Sequence, residues 1–244
     1  MLPVTCIHKR WRLDLHFQMN RTAGAQRRSG LANTYEAVVF DLLTALIDSW
    51  ALWNAVAGSQ ADGLRWRRCY LDITYGCGTY RPYETLVREA AIRAGLPEEF
   101  ADELDRRWTE LQPWPDTPRV LKALGGVLPL AIATNCSERL GRAAAFKTGG
   151  QYSVVVTAEK VGFYKPRPEV YRTVLKELGT DPTRTLFVAG SAADVPGAKN
   201  VRMPVYWHNR IGLPPRDDAK PDFFETSLKP LLSLVMPHAS KVGD

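Results

Sequence analysis

The sequence predicts a doubly wound α/β sheet that carries a helical insertion directly after its first strand. Three observations lead there. Short, fully apolar runs recur along the 244 residues. Stretches with helical spacing separate those runs. Between residues 49 and 115 the alternation stops and helical spacing alone remains. Apolar runs of this length suit strands buried on both faces of a parallel sheet. Strand and helix in alternation wind such a sheet.

The first run, Ala37-Val38-Val39-Phe40, ends at Asp41. Further strands are expected over 128–133, 153–156, 185–189 and 204–207. Helices are expected over 138–147, with Ser137 as N-cap, and over 168–178, ended by Gly179. Within the insertion, segments 49–56, 61–72, 83–94 and 98–111 carry helical spacing, and Gly95-Leu96-Pro97 punctuates the last two. The expected division is a leader over 1–34, a core over 35–48 and 116–244, and a helical cap over 49–115. An insertion at that point lies over the carboxyl edge of the sheet, where ligands bind in such folds, and can act as a lid.

Apolar content of 45% and charged content of 24% are those of an ordinary soluble globular chain. No apolar run approaches the roughly 20 residues that cross a bilayer, so no membrane partner is expected. The four cysteines, Cys6, Cys69, Cys77 and Cys136, form no CxxC pair. They read as reduced thiols of an intracellular protein, not as a disulfide frame or a zinc site. The net charge of +6 is uneven. Residues 1–34 hold Lys9, Arg10, Arg12, Arg21, Arg27 and Arg28 against Asp14 alone, a net of +5 that leaves +1 for the rest. The body is therefore no nucleic-acid surface. Three readings of the basic leader stay open: a flexible extension or an upstream start with Met19 as the true one, an organelle transit peptide, or an arm for nucleic acid or membrane. A cytoplasmic location is expected, with organelle targeting left open by the leader.

Four segments then fall in a telling order: Asp41 after the first run, Thr134-Asn135 after the second, Lys165-Pro166, and Gly190-Ser191-Ala192-Ala193-Asp194. A strand-end carboxylate such as Asp41 can attack an electrophilic carbon or phosphorus and form an ester. The competing role is a cap of the next turn. Lys165 sits in a segment stiffened by Pro166 and Pro168. A buried ammonium there keeps Asp41 ionised and steadies developing charge. Asp194 can balance that lysine, activate water, or cap the helix that follows. At Thr134 and Asn135 a hydroxyl and amides can hold an oxyanion or a carboxylate. In the insertion, Arg67 can grip a carboxylate or draw on a leaving anion. A solvated helix face is its competitor. Trp66 is a candidate contact beside Arg67, with packing as the alternative for it and for Tyr70.

These segments together resemble the haloacid dehalogenase superfamily, in particular its L-2-haloacid dehalogenase branch. The likeness runs over about residues 36–235. The family's Asp-x-Tyr-Gly-Thr-Leu stands here as Asp41-Leu42-Leu43-Thr44-Ala45-Leu46, its Ser-Asn as Thr134-Asn135, and its Tyr-Lys-Pro with a later tyrosine as Tyr164-Lys165-Pro166 and Tyr171. Trp66-Arg67 matches the cap Trp-Arg, Trp207-His208-Asn209-Arg210 the tail Trp-x-Asn-Arg, and Thr226-Ser227-Leu228 has its counterpart. The resemblance implies a Rossmann-like core with a helical cap. It implies that Asp41 displaces halide from C2 of a 2-haloacid and that water activated near Asp194 and Lys165 cleaves the ester. It places Arg67 at the halide and brings Leu43, Trp66, Thr134, Asn135, Tyr171 and Ser191 to the substrate. The implied partner is a small carboxylate, and the implied assembly a homodimer, which the cap aromatics permit.

The phosphatases of this superfamily hold magnesium through the nucleophile and through carboxylates at the positions of Leu43 and Gly190. Losing both removes most anionic ligands of a hard cation, so no metal and no cofactor are expected. Against the dehalogenase pattern, Ala45 replaces a threonine, Ala189 a serine, Ser191 an asparagine and Ala193 an aromatic residue. Ala193 is expected to open the pocket. Thr44 is displaced by one position and Ser191 is short, so neither is expected to compensate. A phosphatase with a degraded metal site and a non-catalytic scaffold stand as the alternatives.

Overall fold

A computed structural model describes residues 35–215 and 220–236. The basic leader, with Met19 and Cys6, lies outside the described residues. Six strands form one wholly parallel sheet: β1 (Ala37–Phe40), β2 (Leu130–Thr134), β3 (Val154–Thr157), β4 (Thr185–Ala189), β5 (Val205–His208) and β6 (Phe223–Glu225). Their order across the sheet is β3-β2-β1-β4-β5-β6. The chain winds outward from β1 to β3, then returns beside β1 with β4 and winds the other way. That reversal is the switch point at which α/β sheets bind ligands.

Side chains alternate between the two faces, as the two-residue strand period requires. Val38, Phe40, Leu130, Ile132, Leu186, Val188 and Tyr206 join one buried cluster. Val39, Ala131, Ala133, Phe187, Ala189, Val205 and Trp207 join the other. Each Val, Leu, Ile or Phe among them withdrawn from water contributes about 1.5–3 kcal/mol. A sheet covered on both faces explains why its strands read as continuous apolar runs.

Three of the five expected strands are displaced or trimmed at their ends. Segment 128–133 becomes a strand only after Pro129, which has no N–H for the ladder. Segments 153–156 and 204–207 each begin one residue later and run one residue further. The β6 edge carries no run that the sequence could announce.

Helices α1 (Ser49–Ala57), α2 (Gln60–Gly76), α3 (Tyr83–Arg93) and α4 (Phe100–Arg106) follow β1. Asp48 caps α1 and Ser59 caps α2, each accepting from a backbone N–H of the first turn. The helix expected over 98–111 breaks at Arg107, and a single 3₁₀ turn, Trp108–Glu110, replaces its end. There the Trp108 indole donates to Leu140 O at 3.0 Å and ties the segment to the core.

The remaining helices are α5 (Thr117–Gly125), α6 (Glu138–Lys147), α7 (Ala158–Val161), α8 (Pro168–Leu178), α9 (Asp194–Asn200) and α10 (Lys229–Val235). Pro168 opens α8 and left-handed Gly179 (φ 68°) closes it. Ser137 stands at the N-cap of α6 but makes no capping bond. Its hydroxyl donates instead to Glu84 at 2.9 Å, and Glu159 accepts from the Glu138 N–H.

Residues 49–115, the proposed cap, are fastened to the loops at the carboxyl edge of the sheet. Tyr70 donates to Asn135 O at 3.1 Å, the Tyr80 N–H to Gly162 O at 2.7 Å, and Tyr164 to Arg81 O at 2.7 Å. Among the described residues no helix is long and apolar enough to cross a membrane.

Candidate active site

The site forms where β1 and β4 end. The Asp41 N–H donates to Val188 O at 2.9 Å, the last rung between these strands. The chain then turns back on itself. The Thr44 N–H (3.0 Å), the Thr44 hydroxyl (2.6 Å) and the Ala45 N–H (3.2 Å) all donate to Oδ2 of Asp41. Its other oxygen, Oδ1, accepts from Nζ of Lys165 at 2.7 Å. The same ammonium donates to Oδ2 of Asp194 at 3.0 Å and lies 5.6 Å from the Phe187 ring centroid. Asp41, Lys165 and Asp194 are only 7%, 4% and 4% exposed.

Burial pushes the Asp41 carboxyl up, but Lys165 and the Thr44 donors outweigh it and hold it below the ordinary value of 3.8. Burial and the negative charge of Asp41 push Asp194 up to about 6, against the pull of Lys165. Burial lowers Lys165, yet two carboxylates raise it further, so it stays a cation. The asymmetry follows from the donors. Four bonds stabilise Asp41 as an anion. Asp194 has the lysine at 3.0 Å and only a long contact of 3.5 Å from Tyr171. One carboxylate is thus a poised anion and the other a group that can take a proton near neutral pH.

Arg67 projects from α2 and is 3% exposed. Its guanidinium lies between two indoles, 4.8 Å from the Trp50 centroid and 4.9 Å from that of Trp53. Nη1 donates to Ser49 Oγ at 3.0 Å, and Ser49 in turn donates to Leu43 O. Nε is buried without a partner, and no carboxylate pairs with Arg67 among the described residues. A buried cation of this kind calls for an anion.

Asp41, Leu43, Thr44, Trp50, Arg67, Tyr70, Leu71, Thr74, Tyr75, Thr134, Asn135, Lys165, Ser191, Ala193 and Asp194 line one cavity of about 40 Å³. The structure therefore brings together Asp41, Leu43, Arg67, Thr134, Asn135, Lys165, Ser191 and Asp194 from the residues the sequence singles out.

Trp66 is not among them. One residue before Arg67, it points about 100° away around the helix. It is fully buried among the helices that follow β1, donates to Val87 O at 2.9 Å and packs 4.5 Å from Trp53. Tyr171 also stands behind the wall, with its hydroxyl 3.3 Å from Asp194 O. Asn135 faces the cavity but spends its amide on Lys165: Oδ1 accepts the Lys165 N–H at 2.7 Å and Nδ2 donates to Lys165 O at 3.2 Å. The Thr134 hydroxyl turns to Cys136 Sγ at 3.4 Å. Asp194 opens α9, yet its side chain faces Lys165 and does not cap the helix. Ser191 Oγ accepts from the Ala193 N–H at 3.3 Å.

One expectation is overturned. Thr44, though displaced by one position, does place a hydroxyl on Asp41. A second, that Ala193 opens the pocket, meets a cavity kept small by Leu43, Trp50, Leu71 and Tyr75. Of the residues missed, Thr44 carried the clearest signal, a hydroxyl in the turn after a strand-end aspartate.

Magnesium does not fit these residues. Leu43 and Gly190 bring no side-chain oxygen, and the Lys165 ammonium already occupies the space between the two remaining carboxylates. No group of three or more His, Cys, Asp or Glu suited to a metal occurs among the described residues. A side chain at position 190 has no room either. Its Cβ would lie 2.2 Å from Ala45 N and 2.3 Å from the Thr44 hydroxyl oxygen.

Comparison with known proteins agrees with this geometry. The family model of haloacid dehalogenase-like hydrolases matches residues 34–202. An (S)-2-haloacid dehalogenase 4A from Burkholderia cepacia is 28% identical over 209 residues, 78% of this chain and 90% of its own. A phosphoserine phosphatase from Thermus thermophilus is 32% identical over 183 residues, 70% of this chain and 72% of its own. A solved dehalogenase with an intermediate complex superposes with a TM-score of 0.74 at 26% identity, covering 84% of this chain and 99% of that one.

Proposed function

The chain belongs to the haloacid dehalogenase-like hydrolases, and from that premise we propose that it hydrolyses the carbon–halogen bond of a small 2-haloalkanoic acid through an ester on Asp41. The observation that carries the reading is the buried Asp41–Lys165–Asp194 triad facing an Arg67 guanidinium that no carboxylate among the described residues neutralises. A carboxylate held ionised without a metal suits attack on carbon. A cation across a cavity of about 40 Å³ suits a small leaving anion. A cavity of that size has room for only a few water-sized groups, which favours short acids.

In the proposed reaction Oδ1 of Asp41 attacks C2 from the side opposite the halogen. The carbon–halogen bond breaks, the halide leaves with the electron pair toward Arg67, and an ester joins Asp41 to C2. Asp194 then takes a proton from water, whose oxygen adds to the ester carbonyl carbon. Collapse expels the 2-hydroxy acid, whose alkoxide takes up a proton, and Asp41 is restored. Lys165 steadies the negative charge passing between the two carboxylates.

Halide release from a panel of L- and D-2-haloacids tests the reading. Release is expected to persist in EDTA and to be indifferent to added magnesium. No release from any member sinks the haloacid class. The phosphatase relative makes turnover of phosphate monoesters the control, and magnesium-dependent phosphate release would favour that chemistry instead.

The pH dependence follows from Asp194. As a base it must be deprotonated, and it acts after the halide has left, so kcat is expected to fall as pH drops below about 6. The stability term has the opposite sign: a carboxyl raised by folding binds protons in the native state, so its contribution declines as pH rises through that window. A kcat profile flat from pH 4 to 8 (about two units on each side of the expected midpoint) would remove Asp194 from the base role.

A further inference from the structure

We propose that Thr44, seated against Gly190 and held by Trp114, drives the hydrolytic half of the reaction by cradling Oδ2 of Asp41 as that oxygen gathers charge. The inference rests on the reading of Asp41 as the nucleophile and goes on to divide the two half-reactions between its two oxygens.

The two oxygens differ sharply. Oδ2 accepts from the Thr44 N–H, the Thr44 hydroxyl and the Ala45 N–H. Oδ1 accepts from Lys165 alone and is the oxygen left to attack. In the displacement step negative charge leaves the carboxylate, so donors on Oδ2 stabilise the starting anion more than the transition state. In the hydrolytic step the new carbon–oxygen bond forms at Cγ and the carbonyl electron pair moves onto Oδ2. Charge then returns to the oxygen that faces three donors. Only interactions stronger in a transition state than before it accelerate that step.

The turn that aims these donors is built from outside. The Trp114 indole donates to Thr44 O at 3.0 Å and its backbone N–H to Leu46 O at 3.0 Å. Thr117 donates to Leu46 O at 2.9 Å, and His208 Nδ1 lies 2.8 Å from Ala45 O. Gly190 supplies the floor, since any Cβ there would strike the Thr44 hydroxyl oxygen at 2.3 Å. Trp114 is therefore a positioning residue, fixed in turn by Arg210 stacked at 5.1 Å.

The test is the fraction of enzyme carrying the ester during turnover, read by rapid quench and intact-protein mass. Thr44→Val keeps the shape and deletes the hydroxyl. Hydrolysis is expected to slow about 10²-fold while displacement changes far less, so the ester accumulates, and kcat and KM fall together while kcat/KM holds. Thr44→Ser is expected to restore turnover and clear the ester. Trp114→Phe keeps the ring and deletes the N–H, and is expected to raise the ester level in the same direction. It carries the test by the same criterion if Thr44→Val does not fold. Wild-type turnover with no rise of ester in these variants overturns this inference alone. Absence of both turnover and ester in the wild type, for every haloacid tried, sinks the proposed function and this inference with it.

Discussion

An Asp41→Asn protein is expected to release no halide and to carry no ester, a fall of at least about 10⁴-fold in kcat/KM. The amide keeps the size of the side chain but lacks the negative oxygen that bonds to C2. Lys165 keeps Asp194 as its partner at 3.0 Å, so the fold is expected to survive. A second consequence separates this variant from a merely damaged one. The charge of Asp41 is one of the influences that raise Asp194. Without it, Asp194 is expected to titrate lower, which difference titration of the two folded proteins would detect. Halide release by the variant at a tenth of the wild-type rate (about 1.4 kcal/mol of barrier) would show that Asp41 is not the group that bonds to carbon.

Replacing Lys165 with methionine is expected to be nearly as severe for activity and far worse for stability. Both carboxylates lie in the protein interior and share this one ammonium. Removing it leaves two like charges facing each other without compensation. Breaking a buried pair in this way costs about 3–5 kcal/mol. The sign of the pH dependence is the diagnostic. In the wild type the depressed Asp41 contributes stability that is lost as pH falls through its folded value. In the variant burial and mutual repulsion raise both carboxyls, so its stability declines as pH rises above the ordinary carboxylate range. Denaturation at acidic and at mildly alkaline pH is expected to show the larger deficit at the higher pH. A deficit independent of pH would mean that packing of the lysine stem, not its charge, holds this part of the core.

Much of the architecture is legible in the sequence because burial on both faces leaves continuous apolar runs, and β1 and β4 are found to the residue. Errors arise where local chemistry overrides the run, as at Pro129, or where no run exists, as at Phe223–Glu225. The triad is legible for a related reason. A carboxylate that closes an apolar run must stand at the end of a strand, and the sheet order then brings Asp41 and Asp194 side by side. Orientation is not legible. Trp66 and Arg67 are neighbours in sequence, but the helix turns one inward and the other to the cavity. Asn135 reads as a ligand for substrate and turns out to fasten Lys165. Thr44 depends on the path of a tight turn, and only the structure shows where its hydroxyl goes.

The close seating of Thr44 and Ala45 on Gly190 ties that position to the turn. A side chain at position 190 would meet the backbone of the turn that grips Asp41, 2.2 Å from Ala45 N, so the turn must shift to admit one. A substitution at residue 44 does not by itself make that room, because Ala45 N and the Thr44 carbonyl carbon are among the atoms met. Glycine at position 190 is thus a condition of the turn that serves the nucleophile, and a larger residue there displaces the donors of Asp41 before it adds any group of its own.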